Sequence, residues 1–245
     1  DITSNDVVLV VTHAEPAFAI LLLGLLSQAV VVPVNPDSRS SELAFLEQSL
    51  KPKAIIVPDQ QAHAFVRSTA APLYRYSMNA WDVRVWPDVE HRSSPVTIPS
   101  RQLPDATALI LQTSGTTGQP KFVPLTLQQL RRSAQNVQHS LSLSASDRCL
   151  HMLPMFHIGG LVDVLLAPLI SGGEVLFNRG FDVKRVFEAM QMYAPSWTQT
   201  VPTVLQAMLE YAQHKSFRSA QCPLRLIRSV SAKLPTTLQQ QAAQV

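Results

Sequence analysis

Three short apolar runs open the chain, at 7–11, 30–34 and 53–57, rich in valine, isoleucine and leucine. A strand with one wet face alternates with a period of two, whereas a continuous apolar run predicts a strand covered on both faces. Between these runs, 15–28 is mostly apolar and predicts a buried helix. The stretch 40–50 places Leu43, Leu46 and Leu50 at helical spacing. Ser40 or Ser41 is predicted to cap it, with Glu42 in the first turn, where the helix dipole favours an acid. Asp59 is placed to cap a further helix. Strand and helix alternating in this way predict a parallel sheet with helices packed on it.

Residues 81–104 interrupt the alternation. They carry Pro87, Pro95, Pro99 and Pro104 and predict an irregular connection with one edge strand at 83–86. Extended runs follow at 108–111 and 122–125. Beyond them, 127–141 reads as an amphipathic helix, and 159–170 as an apolar helix stopped by Ser171, Gly172 and Gly173. Strands are predicted at 174–177, 197–201 and 224–230. Helices are predicted at 183–193, from Pro202 to about 214, and from about Pro235. The fold class is α/β, with layered, parallel-rich sheets flanked by helices.

Composition narrows the picture. The 245 residues are 46% hydrophobic and 15% charged, enough for a sizeable core. The net charge is +3 without a dense basic stripe, which argues against a nucleic-acid surface. Two cysteines without ligand spacing argue against a metal site and fit a reducing compartment. The expected location is cytoplasmic, with a peroxisome or other organelle as alternatives. The run 17–34 contains Gly24, Ser27, Gln28 and Pro33 and reads as a buried helix passing into a strand rather than a membrane span.

Residues 113–121 read TSGTTGQPK. Gly115 and Gly118 let the backbone turn sharply. Successive amide groups in such a turn form a concave nest for phosphate oxygens. Thr113, Ser114, Thr116 and Thr117 add hydroxyl donors, and Lys121 adds a mobile charge. The spacing is not that of a Walker loop, because Pro120 and Phe122 stand where Gly and Ser or Thr are needed. The loop is expected to join two strands as a hairpin and to hold a polyphosphate.

This string resembles the phosphate loop of the adenylate-forming superfamily, which includes acyl- and aryl-CoA ligases, adenylation domains of peptide synthetases, and luciferases. The block LPMFHIGGL at 153–161 is similar to that family's LPxFHxxGL segment, and Val201-Pro202-Thr203 to its pocket-lining turn. Residues 225–235 resemble the adenine-side strand and turn, closest to the RxCSAxLP form of oxalate-CoA-ligase-like members. The resemblance covers nearly the whole chain.

The resemblance implies ATP-dependent activation of a carboxylic acid to an acyl-adenylate, then transfer to a thiol, with ATP, Mg2+ and CoA or a carrier pantetheine as cofactors. It assigns phosphate and nucleotide binding to Thr113, Ser114, Gly115, Thr116, Thr117, Gly118, Lys121, Ser231 and Ala232. Phe156, His157, Gly159, Gly160 and Thr203 take the acid or thiol. Lys121 and His157 are the catalytic candidates, and no residue is assigned to a metal. Phe156-His157 replaces the Phe-Asp pair of the amino-acid-activating branch, which implies an acid without a free α-amino group. The resemblance divides the chain into a first sublobe at 1–145 and part of a second at 146–245. Family members continue with YGxTE and TGD blocks and a C-terminal lysine. The chain is therefore expected to be an incomplete N-terminal portion, inactive alone. Phe122, Leu127 and Lys233 depart from the family pattern. The alternatives are an adenylation domain that loads a carrier protein, and a non-catalytic descendant that binds a nucleotide or a partner.

Overall fold

The computed structural model describes residues 2–13, 15–62, 69–79, 82–88, 106–113, 120–217 and 219–244. Three expectations from the sequence lie outside these residues: the helix after Asp59, beyond a single 3-10 turn at Asp59–Gln61, most of the irregular stretch 81–104, and the turn of the phosphate loop at 114–119. The chain forms two compact units, Asp1–Leu130 and Arg131–Val245.

The first unit is built on a seven-stranded sheet. Its strands are β1 (Val7–Val11), β2 (Val30–Val34), β3 (Ala54–Pro58), β4 (Leu73–Asn79), β5 (Asp82–Pro87), β6 (Thr107–Thr113) and β7 (Lys121–Thr126). Their order is β5-β4-β3-β1-β2-β6-β7. The inner pairs are parallel, and β4–β5 and β6–β7 close the two edges antiparallel. The three apolar runs occupy adjacent places, and every residue of β1, β2 and β3 is buried.

Helix α1 (Pro16–Leu25) follows β1, with proline in its first turn, and α2 (Ser40–Leu50) follows β2. The α2 cap differs from expectation. Arg39 is the N-cap, and its amide donates to Glu42 Oε2 at 3.0 Å, so the acid expected for dipole reasons also takes a free amide. Strand β4 was not legible in the pattern because Arg75 interrupts it. That guanidinium is satisfied by Asp88 (2.8 Å) and Asp59 (3.3 Å), which lets a charged residue sit inside a sheet.

Helix α3 (Leu127–Ser140) starts directly from β7. Thr126 Oγ1 accepts from the Gln129 amide at 3.1 Å, and Gln129 Oε1 accepts from the Thr126 amide at 2.8 Å. This reciprocal cap turns strand into helix without a linker.

The second unit carries β8 (Arg148–His151), β9 (Glu174–Phe177), β10 (Trp197–Thr200) and β11 (Leu226–Ser229). They form an all-parallel sheet in the order β11-β10-β8-β9. The apolar stretch 159–170 is a π-helix at Gly159–Leu166, running into α4 (Ala167–Ile170), rather than one α-helix. Helices α5 (Val183–Tyr193), α6 (Pro202–His214) and α7 (Thr236–Ala242) complete the unit. One face of the sheet packs Leu150 against Val186, Met190 and Met208, and Ile227 against Leu205 and Leu209. The π-helix meets the other face. No helix among the described residues is long and apolar enough to cross a membrane.

Candidate functional site

Strands β6 and β7 form the expected hairpin. Thr113 pairs with Lys121 at its mouth, and Thr113 Oγ1 donates to the Lys121 carbonyl at 3.4 Å. Both residues are exposed. Ser114, Gly115, Thr116, Thr117 and Gly118 lie outside the described residues. Strand alternation turns Phe122 the opposite way from Lys121. Phe122 packs on the core of the first unit and stacks on Phe45 of α2, ring centroids 5.8 Å apart at 16°. The bulk that departs from the family pattern thus fills a place against α2. Leu127, the second departure, is 46% exposed at the start of α3.

In the second unit, residues 152–158 connect β8 to the π-helix. Phe156 and His157 lie ring against ring, centroids 4.5 Å apart. His157 is exposed as a residue, yet partial desolvation of its ring lowers its pKa below the ordinary histidine value. Gly160 is buried, and a Cβ there would fall 2.1 Å from the Pro154 carbonyl oxygen. Its missing side chain therefore makes room for the backbone of Pro154. Gly159 packs elsewhere: a Cβ there would meet Gln199 Nε2 at 3.1 Å and Asp163 Oδ2 at 3.7 Å, so its missing side chain lets Gln199 come close.

Behind Gly159 lies a row of polar side chains that sequence reading missed as a site. His151 pairs with Phe177 across β8–β9, and Gln199 with Arg228 across β10–β11. The β8–β10 register, Cys149 with Trp197 and Leu150 with Thr198, brings His151 level with Gln199. The row therefore runs Phe177, His151, Gln199, Arg228 across the sheet, and the π-helix lies on it. His151 Nε2 meets the Gly160 carbonyl at 2.9 Å. Gln199 Nε2 donates to Asp163 Oδ2 at 2.9 Å, Arg228 Nη1 donates to Gln199 Oε1 at 2.5 Å, and Arg228 Nη1 lies 2.9 Å from Asp163 Oδ2. The available signals were Asp163 and Arg228, each a charged residue inside an apolar run.

The remaining predicted residues sit apart from this row. Thr203 is exposed in the first turn of α6, after Val201 and Pro202. Ser231 and Ala232 follow β11, exposed, with Ser231 at a φ of 69°. A mainly apolar hollow of about 410 Å³ in this unit is lined by residues including Met208, Leu209, Leu224, Ile227 and Leu234, and by none of the predicted site residues. Among the described residues, no group of three or more His, Cys, Asp or Glu is placed to hold a metal ion.

The family model described as AMP-binding enzyme matches residues 1–245. The chain belongs to the AMP-binding enzyme family. This AMP-binding chain is 31% identical to the sulfoacetate–CoA ligase of Cupriavidus necator over 221 residues, 88% of the chain and 42% of that protein. It is 30% identical to the oxalate–CoA ligase of Saccharomyces cerevisiae over 244 residues, 89% of the chain and 44% of that protein. Its fold matches the crystal structure of ATP-bound MatB from Rhodopseudomonas palustris with a TM-score of 0.79 at 22% identity, covering 99% of this chain and 48% of that one. The chain thus spans about half the length of the relatives it matches.

Proposed function

We propose that the protein to which this chain contributes is an AMP-forming acid–thiol ligase. One observation carries the reading: the family match extends over a chain whose β6–β7 hairpin ends its strands at Thr113 and Lys121, the two residues that bound the TSGTTGQPK turn. An oxygen of the acid's carboxylate attacks the α-phosphorus of ATP, and the bond to the bridging oxygen of the β-phosphate breaks. Acyl-adenylate and pyrophosphate result. A thiolate then attacks the acyl carbon, and AMP leaves. The substrate carboxylate is itself the nucleophile, so the protein's task is to position groups and stabilise charge.

In this reading Thr113, Ser114, Gly115, Thr116, Thr117, Gly118 and Lys121 grip the β- and γ-phosphates. Ser231 and Ala232 line the adenine side. Phe156, His157, Gly159 and Thr203 line the acid or thiol pocket, and Gly160 shapes it through Pro154. Mg2+ would be held mainly by the phosphate oxygens rather than by an all-protein cage, and would supply charge neutralisation there.

Partial desolvation disfavours the charged form of the His157 ring, which makes it a poor anchor for an ammonium group and supports an acid without a free α-amino group. The relatives named for sulfoacetate and oxalate share a second acidic group on a short chain, and we take such a two-anion acid as the substrate class. CoA or a carrier pantetheine accepts the acyl group. No nucleic-acid partner is proposed. Sublobes at 1–145 and 146–245, and a cytoplasmic location, complete the proposal.

The test has two arms. Calorimetric titration of this chain with Mg·ATP, wild type against Lys121→Ala, is expected to show about a tenfold or greater loss of affinity with an unchanged melting temperature, since a charge-assisted hydrogen bond contributes about 1.5–3 kcal/mol. Equal affinity would remove Lys121 from the phosphate site. Pyrophosphate release by the full reading frame that encodes the chain, offered a panel of short acids, tests the ligase reading itself. Release with none of them overturns it.

A further inference from the structure

We propose that Arg228 reads the second anionic group of the acid; the proposal rests on the acid-ligase reading above. Arg228 sits towards the end of β11, on the sheet face that meets the π-helix. Gln199 Oε1 and Asp163 Oδ2 both take Nη1, at 2.5 and 2.9 Å. These two contacts fix the plane of the guanidinium. They leave the edge formed by Nε and Nη2 with no partner among the described residues, and the side chain is 31% exposed. An arginine has five N–H donors in a rigid fork, and that free edge carries two parallel ones. Two parallel donors match the two oxygens of a carboxylate or a sulfonate.

The location fits the proposed pocket. Gly159 is one of its predicted lining residues, and the side of Gly159 where a Cβ would stand packs against Gln199 and Asp163, the two groups that hold Arg228. An acid seated beside Gly159 would meet the row at this point. Asp163 balances the arginine charge before substrate arrives and keeps the fork aligned. An incoming anion displaces water from the free edge and leaves the Asp163 contact in place. Gln199 is fully buried; its amide donates to one partner and accepts from the other, so the clamp is satisfied without the acid. Arg228 thus offers the oriented edge, with Gln199 and Asp163 as positioning residues.

The experiment uses the full reading frame, with pyrophosphate release as the readout. Wild type, Arg228→Met and Arg228→Lys are compared on oxalate, malonate and sulfoacetate, and on acetate and propionate as one-anion controls. A site built to pair a polar group discriminates strongly against an analogue that lacks it. The expected result is that Arg228→Met lowers the ratio of kcat/KM for two-anion over one-anion acids by about 10- to 100-fold, the range of a lost charge-assisted bond, mainly through KM for the acid. Arg228→Lys is expected to keep part of the preference. Should Arg228→Met fail to fold because Asp163 loses its partner, the double variant Arg228→Met with Asp163→Asn removes both charges and carries the same expectation.

Three outcomes overturn the assignment. If the variant loses both classes of acid equally, the clamp is structural. If it keeps the wild-type preference, another residue reads the second anion. If the wild type prefers one-anion acids, the proposal fails while the ligase reading stands. Absence of release with every acid tells against the ligase reading and this one together.

Discussion

His151 shows how much a single buried side chain can carry. It is fully buried, its Nε2 meets the Gly160 carbonyl, its Nδ1 has no partner among the described residues, and its ring lies 5.1 Å from that of Phe177. Burial disfavours the charged ring and lowers its pKa to about 4. The unfolded chain, with an ordinary histidine, binds the proton first as pH falls. Between about pH 6.5 and 4 the unfolded state therefore holds more protons, and stability rises with pH through that window. The full effect is about 3 kcal/mol, present above pH 6.5 and gone below 4. Urea unfolding from pH 7.5 to 4 is expected to show this slope, and His151→Gln to flatten it. An equal slope in the variant would assign the acid sensitivity to other groups.

At the scale of elements, apolar continuity decided what the sequence disclosed. Strands β1, β2 and β3 were legible because every residue in them is buried, so nothing polar interrupts the pattern. Strands β4 and β8 were not, because Arg75 and the pair Arg148 and His151 sit in them, held by partners distant in sequence. The phosphate loop was legible because its chemistry lies within nine consecutive positions. The row of His151, Gln199 and Arg228 was not, because parallel strands joined by long crossovers bring it together. Strand β7 links the two kinds of signal. Phe122 was read as a departure from the family pattern, and its stack on Phe45 ties the strand that carries Lys121 to α2. Phe122→Gly is expected to cost about 2 kcal/mol, less than a fully buried phenylalanine because Phe122 is half-buried, and to weaken Mg·ATP binding. Phe122→Leu should restore most of both. Thermal melts and titrations on the same samples check this. A destabilised variant with unaltered nucleotide affinity would show that the stack supports the sheet alone.

At the scale of the whole molecule, the two units are held by different chemistry. The first sheet is cemented by aliphatic burial. The second is pinned by polar groups at both ends of its strands. At the far end is the row beneath the π-helix. At the near end, Asp147 precedes β8 and is almost fully buried. It accepts from Arg225 Nε and Nη2 at 2.8 and 2.9 Å, from Ser196 Oγ at 2.7 Å, and from the Ser144 amide at 2.9 Å. One carboxylate thereby joins the entries to β8, β10 and β11. The hydrogen bonds from Arg225 are the largest influence, and they hold its carboxyl far below the ordinary aspartate range. A depressed carboxyl contributes stability that is complete above the unfolded value, near pH 4, and is lost as pH falls through the folded one. Removing the cation leaves Asp147 buried without its partner, which raises its pKa and moves the acid loss to higher pH. Breaking a fully buried pair costs about 3–5 kcal/mol. Arg225 is 44% exposed, so solvent screening brings the expected cost of Arg225→Met to about 2 kcal/mol. Hydrogen exchange resolved by peptide, from pH 7 to 4, discriminates the units. In Arg225→Met the peptides of β8 and β10 should lose protection at higher pH than in wild type, while those of β1 and β2 keep theirs. Loss spread evenly over both sheets would mean that Asp147 and Arg225 stabilise the chain as a single cooperative body, not the second sheet alone.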